Sequence, residues 1–154
     1  MKRWLLKTEP SVFGIDDLAA ARARTTSWEG VRNYQARNLI RDEIKKGDQA
    51  LLYHSSCEQP GVAGIVRVVR AAYPDRSALD RRDDHYDPAS SSDNPRWYTF
   101  DVQLVRRLKR VIGLDELRAH AARELAGFIL LRAGNRLSVM PVEEAHWRFI
   151  LSLE

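Results

Sequence analysis

Cysteine occurs once in the 154 residues, at Cys57, so no disulfide forms within the chain and the fold must rest on packing. A lone cysteine points to a reducing compartment, and the expected location is cytoplasmic. Glycine is scarce, 8 residues in all, and none stands in a Walker-type phosphate loop or a GxGxxG turn. That argues against a nucleotide hydrolase and a Rossmann enzyme, and no Ser-His-Asp signature motif is present either. Long apolar runs are also missing. The start, "MKRWLLKTEP", breaks at Lys7, and no stretch approaches the ~20 residues that cross a bilayer, so neither a leader nor a membrane partner is expected.

What is present is ordinary globular material, 44% hydrophobic and 30% charged. A chain of this length buries roughly 68–70% of its unfolded surface and needs no metal or cofactor to fold. No linker or internal repeat divides it, so one domain over residues 1–154 is expected. The net charge is +4, and 20 of the 25 cations are arginine, whose planar fork suits phosphate and stacks on bases. This permits nucleic-acid binding without requiring it.

The pattern along the chain is one of strands with short helices between them. "RWLLKT" (Arg3 to Thr8) reads as a strand, "IDDLAAARA" from Ile15 as a helix and "TTSWEGV" as a loop. Asn33 is placed as the N-cap of a helix from Tyr34 to about Ile44, with Ala36, Leu39, Ile40 and Ile44 as its buried stripe. Asp48 to Ser55 and Gly61 to Tyr73 read as a hairpin, followed by a long polar loop from Pro74 to Pro95. Arg96 to Leu108 alternates as a strand, "GLDELRAHA" is a short helix, and "NRLSVMP" is a brief strand leading to a last helix with Pro141 near its first position. The expected class is α+β, a small mixed β-barrel with peripheral helices.

Two clusters invite an enzymatic reading. His54 and Cys57 lie three residues apart in "YHSSCEQPG", but spacing at a strand end does not make the side chains face each other, and a loop cysteine is the simpler reading. Asp83, Asp84, His85 and Asp87 offer metal-ligand chemistry, yet all four sit in one arginine-flanked loop and read better as a self-compensating charge patch. Base recognition is better supported. It needs flat faces for stacking and amides or hydroxyls for edges, and "WEGVRNYQARN" (Trp28 to Asn38) supplies both around a helix start whose free N–H groups favour phosphate. Trp4 and Trp147 are assigned to the core, while composition leaves Trp28, Tyr53 and Trp97 open between core and ligand contact.

That stretch, with "KTEP" before it, "YHS" after it, and then "GVAGIVRVVRAAYPD", "HYDPASSSDNPRWYTFDV" and "LSVMPV", closely resembles the EVE domain family over nearly the whole chain. The resemblance implies a PUA-like fold related to YTH domains, and a reader that flips one modified base into an aromatic pocket. The implied ligands are modified cytosines such as 5-methylcytosine in DNA, or a modified RNA base. By the same resemblance, Trp28 is the cage indole. Asn33, Tyr34, Gln35, Arg37 and Asn38 match the signature helix start. Tyr53, His54 and Ser55 match the second signature segment, and Leu137, Ser138 and Val139 the third. Lys7 and Thr8 fall where such readers touch nucleic acid beside the pocket, and Arg32, Arg37 and Arg41 are assigned to flanking phosphates. Tyr53, Trp97 and the loop around Tyr86 are the candidates for the second cage wall.

The first expectation is therefore a non-catalytic, monomeric reader without cofactor, whose partners are modified DNA or RNA and an effector protein acting in trans. The alternatives are a pocket for a free nucleoside or other small molecule, and, further off, an enzyme using Cys57 and His54.

Overall fold

A computed structural model describes residues 1–154. The chain runs β1 (Arg3–Thr8), α1 (Pro10–Phe13), α2 (Ile15–Ala20), β2 (Thr25–Ser27), α3 (Tyr34–Asp42), β3 (Gln49–His54), β4 (Gly61–Pro74), β5 (Tyr98–Gly113), α4 (Leu114–Ala119), β6 (Val139–Val142) and α5 (Glu144–Ser152). The six strands form one mixed sheet in the order β2-β5-β4-β3-β1-β6. β1 and β3 pair in parallel, and every other pairing is antiparallel. A parallel pair needs a crossover, and the segment from α1 through α3 supplies it. This crossover carries Trp28 and Asn33 past the C-terminal end of β1.

Trp4, Leu5 and Leu6 of β1 are all buried, as expected of a strand covered on both faces. α3 follows the sequence rule closely. The Asn33 side chain accepts from the Ala36 N–H at 3.0 Å, and Ala36 and Ile40 turn inward. Trp4 and Trp147 lie in the core, and the Trp4 indole N–H donates to buried Asp48 at 2.9 Å.

The α+β class holds, but the barrel does not close. β2 and β6 form the two edges, and no ladder joins them. They are only three and four residues long, and Pro141 in β6 has no N–H to offer a further strand. Curvature comes instead from β4 and β5, whose register shifts four times along the pair. Gly64 lets that pair pack tightly, because a Cβ there would come within 2.5 Å of Ile15 Cδ1 and 2.9 Å of the Arg106 carbonyl. Three local expectations also change. "TTS" is a strand held by pairing with β5, β5 continues to Gly113, and Pro141 is a strand residue rather than a helix start.

The polar loop after β4 is anchored rather than solvated throughout. The Asp75 side chain, fully buried, accepts from the Gly30 N–H (2.9 Å), the Ser77 N–H (2.9 Å), the Ser77 hydroxyl (2.6 Å) and the Arg32 guanidinium (3.1 Å). Burial pushes this carboxyl upward, but hydrogen bonds from Ser77, Gly30 and Arg32 outweigh it and hold the pKa below the ordinary value.

Candidate functional site

Where β1 ends, α1, the β2–α3 connection and the loop after β4 enclose a cavity of about 560 Å³. The size falls within the range of small-molecule sites. Trp28 is placed here by the sheet. Its N–H donates to the Phe100 carbonyl at 2.7 Å, continuing the β2–β5 pairing, and its ring lies 6.5 Å from that of Phe100. The indole is only 7% exposed, so it is both a core residue and a cavity wall. Phe13 and His85 supply the other rings of the lining.

Gly30 makes the His85 position possible. Its φ is +85°, and a Cβ there would stand 2.5 Å from the His85 Nε2. His85 Nδ1 lies 3.1 Å from Asp83, and Arg32 donates to the His85 carbonyl at 2.7 Å. Asp75 thus links Gly30, Arg32 and, through Arg32, His85 into one support for the cavity. Thr8, Ser27, Asn33 and Ser138 provide hydroxyl and amide groups along the wall. Lys7 adds one half-buried cation, whose pKa burial lowers. Arg32, Glu9 and Glu29 also line it, and rings beside hydrogen-bonding donors and acceptors suit a planar heteroaromatic group such as a base.

The expected site residues separate into groups. Lys7, Thr8, Trp28, Arg32, Asn33 and Ser138 all line the cavity. Tyr34 and Trp97 do not. They stack on each other with centroids 4.8 Å apart, Arg32 lies over the Trp97 ring at 5.3 Å, and Arg37 over the Tyr34 ring at 4.9 Å. This stack of two rings with a cation at each end ties α3 to the start of β5, and the Trp97 indole N–H donates to Asp87 at 2.6 Å. Tyr86 is absent from the cavity lining. Arg37 also donates to the Arg96 carbonyl at 2.9 Å and to Asn38 at 2.9 Å, and Arg41 pairs with Asp42 at 2.8 Å. Gln35 and Leu137 face a neighbouring cavity of about 390 Å³ that shares Asn33 with the first.

The second signature segment is displaced too. Tyr53 borders a different cavity, on the other side of Lys7. His54 Nε2 accepts from the Ile15 N–H at 3.1 Å and so holds the start of α2, with its pKa lowered by burial. The Ser55 N–H donates to the Thr8 carbonyl at 2.9 Å. No group of three or more His, Cys, Asp or Glu side chains is arranged for a metal; Asp83 and Asp87 serve His85 and Trp97 instead. Sequence reasoning missed Phe13 and Asp75, and it reached His85 as a wall residue only as part of the loop around Tyr86. Phe13 had a local signal, following "KTEP" at the end of β1, but the other two depend on a loop folding back over 45 residues, the separation of Gly30 and Asp75.

An open, mixed sheet whose parallel crossover carries a tryptophan-walled cavity defines a class of fold shared with other proteins. The chain belongs to the EVE domain family, whose profile matches residues 2–153. Thymocyte nuclear protein 1 of Rattus norvegicus is 46% identical over 165 residues, covering 98% of this chain and 73% of the relative. The Homo sapiens protein of the same name is 44% identical, with the same coverage. Among solved structures, human THYN1 protein in complex with 5-methylcytosine-containing DNA has a TM-score of 0.93 at 43% identity, covering 99% of this chain and 97% of that one. A Pseudomonas putida protein superposes with a TM-score of 0.90 at 44% identity, covering 98% of both chains. The relatives' name points to the nucleus and overturns the cytoplasmic expectation drawn from the lone cysteine. A single reduced cysteine is equally at home in either compartment.

Proposed function

We propose that this protein is a non-catalytic reader of modified cytosine in DNA, which receives the everted base in the Trp28 cavity. The observation that carries the reading is the Trp28 wall itself: a nearly buried tryptophan bordering a cavity of about 560 Å³ that also presents hydroxyl and amide groups and both cationic and acidic side chains. The human relative solved with 5-methylcytosine-containing DNA supports the same ligand class here.

The energetics are consistent. Everting a base costs a few kcal/mol of unstacking. Stacking on Trp28 returns ~1–3 kcal/mol, and the rest comes from edge hydrogen bonds and backbone contacts. Thr8, Ser27, Asn33 and Ser138 are the candidates for the base edge. A methyl group is discriminated by apolar contact, worth ~1–3 kcal/mol. With Trp97 committed to Tyr34, Phe13 or His85 forms the second wall. No reaction step is required of His54, whose ring holds α2. Any effector acts in trans.

Binding of fluorescent oligonucleotides carrying cytosine or 5-methylcytosine, as duplex DNA, single-stranded DNA and RNA, tests the proposal. Preference for modified DNA that fails in a Trp28 variant supports it. Equal affinity for both bases, or tight binding of the free nucleoside with no gain from the oligonucleotide, overturns it.

A further inference from the structure

Lys7 borders two cavities. The second, about 310 Å³, lies between β1, β3, α4 and the loop before β6, and its polar lining is Lys7, Tyr53, Arg118, Arg132 and Asn135. No carboxylate lines it. The Lys7 ammonium and the Arg132 guanidinium have no ion-pair partner, and Arg118 has only solvent-exposed Asp115 at 3.8 Å. Tyr53 is 3% exposed, and its hydroxyl makes no hydrogen bond. Yet no fully buried side-chain polar atom of the protein lacks a partner, so this hydroxyl must open into the cavity. Burial raises the Tyr53 pKa while the nearby charge of Arg118 draws it down, and the phenol stays a neutral O–H donor at physiological pH. Burial likewise lowers Lys7, as expected of a cation whose counter-ion is not part of the protein.

We propose that this second cavity is an oxyanion site that holds a DNA backbone phosphate beside the everted base, with Tyr53 donating its hydroxyl and Lys7, Arg118 and Arg132 supplying the charge. The inference rests on the reader function of the Trp28 cavity, because Lys7 is the wall common to both. It gives Tyr53 a phosphate-binding role in place of base stacking. It also moves the phosphate contacts away from Arg32 and Arg41, whose guanidinium groups already serve Asp75 and Asp42.

The test pairs an inorganic phosphate titration, followed by amide NMR shifts, with DNA binding over a salt series. Arg118→Gln is the main variant, since that side chain is 64% exposed and the fold does not depend on it. Tyr53→Phe removes only the hydroxyl. In the unaltered protein, phosphate should shift the Lys7, Tyr53 and Arg118 amides, and Arg118→Gln should weaken that response several-fold. The same variant should lower affinity for methylated and unmethylated DNA by one common factor and make the log–log salt slope shallower by about 1. A methylphosphonate placed beside the modified base should reproduce the loss and add nothing in the variant. Phosphate shifts with an unchanged DNA salt slope would mean a site for free phosphate and overturn the backbone assignment. Absence of both effects would overturn the oxyanion site altogether. Failure of the reader function appears separately, as equal affinity for modified and unmodified cytosine while the salt slope still responds to Arg118→Gln.

Discussion

Trp28 has two duties, and a substitution there disturbs both at once. It is a cavity wall, but at 7% exposure it is also packed with Phe100 in the core. Trp28→Ala should therefore lower stability by about 3–5 kcal/mol, as truncation of a core aromatic does, besides removing the stacking surface. Trp28→Phe keeps most of the packing. It should retain the denaturant midpoint far better than Trp28→Ala while still weakening base binding, and urea unfolding beside anisotropy binding separates the two effects. Asp75 makes a different prediction. Its folded pKa is depressed, so it contributes stability above its unfolded value of about 3.9, and this is lost as pH falls through the folded pKa. Asp75→Ala should remove that pH dependence and cost about 3–5 kcal/mol, because Arg32 and two backbone N–H groups lose their acceptor. The check is unfolding free energy measured from pH 7 down to pH 3. The place of Trp28 at a cavity wall was legible only through the family resemblance of its loop, since composition left it open between core and ligand contact. Asp75 was not, since nothing in "AAYPD" reveals that the carboxylate meets Gly30.

Elements whose cause is local were legible too. α3 could be placed because the Asn33 cap and the Ala36–Ile40 stripe are sequence neighbours. Asn33→Ala should cost about 1 kcal/mol in chemical unfolding, with a matching loss of helix-start order in amide exchange. A cost near zero would mean that tertiary contacts alone hold the helix start. β2 was missed because three residues cannot show alternation, and its ladder partners in β5 are 74 to 78 residues away. Trp97 was placed among the wall candidates for the same reason: a stack on Tyr34 is invisible to spacing. The curl of β4 against β5 depends on close approach at Gly64. Gly64→Val should be severely destabilising, because the Arg106 carbonyl it would strike is backbone and cannot swing away. Loss of the folded NMR spectrum, or a fall in Tm of many degrees, is the expected result.

At the scale of the molecule, the mixed α+β class follows from the order of short strands and helices, whereas closure of a barrel depends on whether the outermost strands meet. Here they do not, and the open sheet leaves the end of β1 free to border both the Trp28 and the Tyr53 cavities. The molecule as a whole is only mildly basic, at +4, and much of its arginine is already paired within the protein. Specificity should therefore come from the cavity rather than from bulk charge. The most direct measurement is the equilibrium affinity of the purified protein for two DNA oligonucleotides differing by one methyl group on one cytosine, at a fixed physiological salt concentration. The methylated strand should bind more tightly by ~1–3 kcal/mol, about 5- to 150-fold, and Trp28→Phe should reduce that ratio. Equal affinity for the two strands, with Trp28→Phe leaving both unchanged, would contradict a base-reading role for the cavity.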